Sequence, residues 1–179
     1  MSLRGLEAEP GEVDAMAESK TRILAEPGEQ QIVITRQLGA GVGSVFEAHV
    51  DSALFARWFG CRGMTTDIDE FVPRRGGRYR FTQSVGGQKV LACRGVFHAV
   101  TRPSLIVKTV EFEGQPGGVI LETTRFEASS AGKTRITVHS VFQSVSDRDR
   151  MLAAGVEKGA GETYARLSEL LDEIESTQL

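Results

Sequence analysis

The sequence predicts an α+β fold in which one antiparallel sheet is covered by a single long C-terminal helix. Three observations predict it. Seven β-favouring runs occur, and among the last six no intervening segment is long enough for a parallel crossover helix. Several runs alternate apolar and polar residues, the mark of a sheet with one wet and one covered face. The chain then changes to a helical pattern over 146–174, the only element long enough to cover the apolar face.

Each element follows from its residues. Over 1–20, the acidic Glu7, Glu9, Glu12, Asp14 and Glu18 develop no apolar periodicity, which reads as a mobile acidic tail and leaves 21–179 as one domain. Gln31–Leu38 is rich in β-branched residues and reads as the first strand. Val42, Val45, Phe46 and Val50 fall at helical spacing. A second short helix around Leu54, Phe55, Trp58 and Phe59 follows the start signal Asp51-Ser52. Six further strands occupy 66–72, Arg78–Val85, 89–100, Leu105–Phe112, Val119–Ala128 and 134–142. Gly86-Gly87, Gly117-Gly118 and the loop 129–132 suit tight hairpins between them.

The last helix has Ser146 as its N-cap candidate, three residues before Asp149. Its apolar stripe is Leu152, Val156, Thr163, Leu167, Leu170 or Leu171, and Ile174. Gly155, Gly159 and Gly161 stand inside it, and each interior glycine costs about 1 kcal/mol relative to alanine. Their presence predicts a neighbouring backbone or a ligand lying close against the helix.

Composition narrows the function. The 179 residues carry 21 Lys and Arg against 24 Asp and Glu, a net charge of −3 with the basic residues dispersed. That pattern argues against nucleic acid or an anionic membrane surface as partner. No run approaches the length needed to span a bilayer and no apolar signal core opens the chain, so no membrane insertion and a cytoplasmic location are expected. Cys61 and Cys93 are too few and too far apart for a disulfide framework or a zinc pair. His49, His98 and His139 show no metal-ligand spacing, and there is no nucleophile elbow, phosphate loop or dinucleotide fingerprint. No metal, cofactor or catalytic residue set is therefore expected.

Several segments recur in one order in a known group. They are Ile32-Val33-Ile34-Thr35-Arg36, Val45-Phe46-Glu47-Ala48, Arg57-Trp58-Phe59-Gly60, Gly76-Gly77-Arg78-Tyr79-Arg80-Phe81, Gly95-Val96-Phe97 and Phe112-Glu113-Gly114-Gln115-Pro116-Gly117. Val141-Phe142-Gln143-Ser144 and Gly161-Glu162-Thr163-Tyr164-Ala165-Arg166-Leu167 extend the series. With them the chain, over about 21–171, resembles the SRPBCC proteins (START-like, Bet v 1-like), in the branch similar to the activator of Hsp90 ATPase. It departs from many relatives at Ala40-Gly41 and at Phe59-Gly60-Cys61. The resemblance implies a helix-grip fold: a seven-stranded antiparallel sheet curled around the long C-terminal helix, two short helices closing one end. It also implies a hydrophobic ligand held between sheet and helix.

Candidate cavity residues follow from both readings. Trp58 and Phe59 form a lid or plug the core, and Phe71, Tyr79, Phe81, Phe97 and Phe112 line the cavity or belong to plain core. Met151, Gly155, Lys158, Gly159 and Glu162 lie along one side of the long helix, where Lys158 and Glu162 also suit a solvated pair. The expected function is binding of a hydrophobic, lipid-like or aromatic small molecule. The alternatives are a cyclase- or aromatase-like enzyme using Glu122, Arg125, His98 or Glu162, and an Hsp90-activator-like protein-interaction domain. His98 and His139 are weaker acid–base candidates, and a homodimer is left open.

Overall fold

β-Branched runs and tight turns shape the sheet in this computed structural model, which describes residues 20–177. The acidic segment expected over 1–20 lies outside the described residues apart from Lys20. Eight strands form one antiparallel sheet: β1 (Arg22–Leu24), β2 (Gln31–Leu38), β3 (Met64–Phe71), β4 (Arg78–Val85), β5 (Gln88–Thr101), β6 (Leu105–Phe112), β7 (Val119–Ala128) and β8 (Thr134–Val141). Their order across the sheet is β1-β2-β8-β7-β6-β5-β4-β3. β3 to β8 form a continuous meander. The chain reaches it from β2, at the opposite end of the sheet, through α1 (Val42–Val50) and α2 (Ser52–Trp58).

The strand count corrects the sequence expectation by one. β1 pairs with β2 through Arg22↔Thr35, Ile23↔Ile34 and Leu24↔Val33, and its three residues are too few to show a period. The other seven strands stand where the sequence puts them. Alternation decides their faces: on β8, Thr134, Ile136 and Val138 are buried, while Arg135 is exposed and His139 bonds outward to Gln31 Oε1 at 2.6 Å.

The C-terminal helix is two helices, α3 (Val145–Ala153) and α4 (Val156–Thr177). Gly155, expected inside one helix, ends the first: its φ is +88°, and its N–H closes on the Leu152 carbonyl at 3.0 Å. The N-cap is Ser144 rather than Ser146; its Oγ accepts from the Asp147 N–H at 3.1 Å and donates to Oδ2 of Asp147 at 2.7 Å. α4 buries Tyr164, Leu167, Leu170 and Leu171 against the concave face of the sheet. Arg166 fastens α4 to the end of α2 and the turn after it, donating to the carbonyls of Arg57 (2.7 Å), Gly60 (2.9 Å) and Cys61 (3.2 Å).

The expected close approach at all three helical glycines is not found. A Cβ at Gly155 or Gly161 would meet nothing within 4 Å, and one at Gly159 would meet only Cys61 Sγ at 3.6 Å. Conformation, not crowding, explains Gly155. Gly155→Ala is accordingly expected to lower unfolding free energy by about 1–2 kcal/mol, the penalty of a left-handed non-glycine residue, as read by urea denaturation. A variant as stable as the parent would show that the α3–α4 break can straighten.

Candidate functional site

The curved sheet and α4 do not close completely on one another. Between them lies a cavity of about 310 Å³ with a wall supplied by β2 to β8, by α3 and α4, and by the turn after α2. Its surface is mainly apolar, including Ile32, Ile34, Phe81, Val110, Ile120, Val138 and Phe142. Phe112 and Met151 also border two outer grooves, so they stand where the cavity meets the surface. Ala160, Thr163 and Tyr164 face it from α4.

Behind this cavity is a chamber of about 50 Å³, and Phe59, Tyr79, Lys108, Glu122 and Tyr164 belong to both walls. Lys108 and Glu122 are direct cross-strand partners on β6 and β7, with Nζ 3.2 Å from Oε1. The ammonium also lies 5.2 Å from the ring centre of Tyr79 and 6.0 Å from that of Phe55, within cation–π range. The Tyr79 hydroxyl is spent on the Thr109 carbonyl at 2.7 Å. The Tyr164 hydroxyl makes no hydrogen bond among the described residues.

His49, from α1, forms part of the chamber wall against the rings of Trp58 and Phe126, at 4.8 and 4.9 Å between centres. Its Nδ1 is 2.8 Å from the Val45 carbonyl and donates to it. Nε2 is shut off from solvent with no partner, although the residue as a whole is intermediate in exposure. Burial, reinforced by the nearby Lys108 charge and opposed by the Val45 carbonyl, lowers the imidazole pKa to about 4. It is therefore neutral at pH 7. Burial also pushes the Cys93 thiol up to about 12 and raises Tyr79 and Tyr164 above the ordinary tyrosine range. Cys61, at the cavity edge, is raised first by burial and then by Glu162. Neither thiol is a ready nucleophile.

The structure divides the sequence candidates. Phe59, Tyr79, Phe81, Phe112, Met151 and Gly159 line the larger cavity. Trp58, Phe71 and Phe97 line the chamber, with Trp58 fully buried and its Nε1 donating to the Ala48 carbonyl at 2.8 Å. Gly155, Lys158 and Glu162 line neither. Gly155 is exposed at the helix break, and Glu162 pairs with Lys158 at 3.9 Å and accepts from the Arg62 N–H at 3.2 Å. Of the four polar residues considered for catalysis only Glu122 faces the cavity; Arg125 and His98 are exposed. Lys108 and His49 were not singled out by the sequence. Yet Lys108 shares the phase of Ile106, Val110 and Phe112, and His49 lies four residues after Val45 on the buried face of α1.

The order of these elements and their residues matches the family model of activator of Hsp90 ATPase homolog 1-like protein over residues 40–172. The chain belongs to that family. Its helix-grip architecture is shared with solved bacterial proteins. A crystal structure of a Rhodobacter sphaeroides protein matches with a TM-score of 0.78 at 20% identity, covering 86% of this chain and 99% of the other. A solution structure of a protein from Arthrobacter aurescens gives 0.77 at 21% identity, with 85% and 91% covered. Protein Ms6760 from Mycobacterium smegmatis gives 0.76 at 21% identity, with 85% and 96% covered. A comparison with curated proteins finds no match. No helix among the described residues is long and apolar enough to cross a membrane, and no group of potential metal ligands comes together among them.

Proposed function

We propose that this protein binds a hydrophobic small molecule, lipid-like or aromatic, between the sheet and α4. The observation that carries this reading is the cavity of about 310 Å³ with its mainly apolar wall. Small-molecule sites run from about 300 to 1,000 Å³, so the volume suits a compact ligand of one to three rings. The polar groups are few: Lys108 and Glu122 stand on the wall shared with the chamber, and Gln83, Ser140 and Thr163 complete the polar lining. Such a division suits orientation of a mostly apolar ligand.

Native mass spectrometry of freshly purified protein, compared with its denatured mass, tests the reading. A retained adduct of defined mass is the expected result. Gly159→Leu supplies the control, because a leucine there would grow from beside Cys61 into the cavity. Replacing a helical glycine also favours α4 by up to about 1 kcal/mol, so the variant should fold at least as well as the parent. Its adduct should fall at least about tenfold in occupancy, which needs only about 1.4 kcal/mol of lost binding energy. Unchanged uptake in Gly159→Leu would place the ligand elsewhere.

A further inference from the structure

An ion pair closes the inner end of the larger cavity. Along β6, Ile106 borders the chamber, Lys108 borders both spaces, and Val110 borders the cavity; along β7, Thr124, Glu122 and Ile120 repeat the sequence. Lys108 and Glu122 therefore stand as a partition between two adjacent spaces. The fold does not exhaust them. Nζ and Oε1 lie 3.2 Å apart, and the side chains keep 15% and 23% of their surface, although both share the inward phase of their strands. Glu122 Oε2 has no hydrogen-bond partner among the described residues, and unlike His49 Nε2 it is not shut away from contact. The same holds for the ammonium, whose three N–H bonds have Glu122 as their one ion-pair partner among those residues.

Charge and spacing decide which ligand group suits this wall. A carboxylate would meet Glu122 and an ammonium would meet Lys108, and like charges repel more strongly in an apolar enclosure than in water. An uncharged group suffers neither conflict. Oε1 already faces the ammonium, so a ligand donor goes to Oε2, one carbon further on, while a ligand acceptor goes to Nζ. A carboxamide carries its acceptor and its donor one carbon apart in the same way. Its carbonyl accepts from Lys108 while its N–H donates to Glu122, and both bonds have a charged partner. A ketone makes the first bond only, and a hydroxyl must serve both groups from a single atom.

We infer that the Lys108–Glu122 pair is a head-group subsite of the larger cavity for the uncharged carboxamide of an otherwise apolar molecule, with Lys108 as donor to its carbonyl and Glu122 as acceptor of its N–H. This rests on the binding function proposed above and specifies its ligand class. The pair thus selects among apolar molecules of equal shape, since a site built to hydrogen-bond an N–H disfavours the analogue lacking it.

Calorimetric titration of the full chain at pH 7.5 with 2-naphthamide, 2-acetonaphthone and 2-naphthoate tests the inference. The first two have the same shape and differ in an amino against a methyl group. The expected result is that 2-naphthamide binds at least about tenfold more tightly than either other compound, the worth of one hydrogen bond to a charged group. In Glu122→Gln the side-chain oxygen stays with Lys108 and an NH2 replaces Oε2, so donor meets donor, and the preference for the amide over the ketone should fall to about threefold or less. The double variant Lys108→Met with Glu122→Leu should reduce it likewise. It leaves no unpaired charge behind, and stands in if Glu122→Gln does not fold. Equal binding of amide and ketone would overturn the subsite while sustaining the cavity. A preference for 2-naphthoate would overturn it in favour of an anion site. A preference undiminished in the folded variants would overturn the roles of Lys108 and Glu122. Failure of all three compounds to bind would overturn the subsite and the cavity reading together.

Discussion

Acidification from pH 7 to pH 4 is expected to remove about 3 kcal/mol of folding stability through His49 alone. The folded protein holds this imidazole at a pKa of about 4, while in the unfolded chain it returns to the ordinary value near 6.5. The unfolded state therefore binds more protons throughout the interval between them. Stability contributed by the neutral histidine is fully present above pH 6.5 and is lost as pH falls towards 4. The interval corresponds to about 3 kcal/mol, at 1.36 kcal/mol for each factor of ten. Of the groups facing His49, Lys108 repels an imidazolium, and the Val45 carbonyl opposes burial but only partly offsets it.

The carboxylates act lower on the pH scale. Glu111, Glu113 and Glu169 are held below the ordinary carboxylate value by hydrogen bonds from Arg94, Arg80 and Arg62, so their contributions disappear only as pH falls through that lower range. Urea denaturation at intervals from pH 2.5 to 8 separates the two effects when the parent is compared with His49→Phe. The variant should lack the fall between pH 6.5 and 4 and keep the one below it. Parallel curves for the two proteins would show that His49 is not held neutral by the fold.

His49 also shows where the sequence stopped being legible. The strands could be read because period-two alternation and glycine turns both act over a few residues. β2, β4, β6 and β7 have the bounds that reading gives. The break at Gly155 is not legible in the sequence, because an interior glycine and a glycine that ends a helix look alike until φ is known. The charged pair was hidden in a different way. In β6, Lys108 occupies the inward phase with Ile106 and Val110; in β7, Glu122 occupies it with Ile120 and Phe126. Each strand alone leaves one charge among apolar neighbours. Only the Lys108↔Glu122 register turns two apparent faults into one neutralised pair, and register belongs to the assembled sheet. His49 needed more still, since its partners come from α2 and β7.

Gly95→Ala is expected to cost about 3–4 kcal/mol and to disturb the cavity, although glycine and alanine differ by one methyl group. Gly95 sits opposite Tyr79 in the β4–β5 register. A Cβ there would stand 1.9 Å from the Thr109 carbonyl oxygen and 2.7 Å from both Cε1 and the hydroxyl of Tyr79. The first contact is with backbone, which cannot turn aside. β5 and β6 would have to part locally, although Val96 N–H is also held there by Thr109 Oγ1 at 3.1 Å. Overpacking of this kind typically costs about 1–3 kcal/mol, and a second loss adds to it. Tyr79 gives its hydroxyl to the same Thr109 carbonyl at 2.7 Å, so the methyl group would displace the phenol from its acceptor and leave a buried donor to be satisfied, at about 1 kcal/mol or more. The displaced ring has the cavity beside it, because Tyr79 lines both the cavity and the chamber. Loss of stability and loss of ligand uptake should therefore appear together, the first by urea denaturation and the second by native mass spectrometry. A variant within about 1 kcal/mol of the parent would mean that β5 and β6 can separate cheaply at this point. Retained stability with weakened uptake would instead show that Tyr79 yields before the backbone does, which would locate the softest part of the cavity wall in that ring.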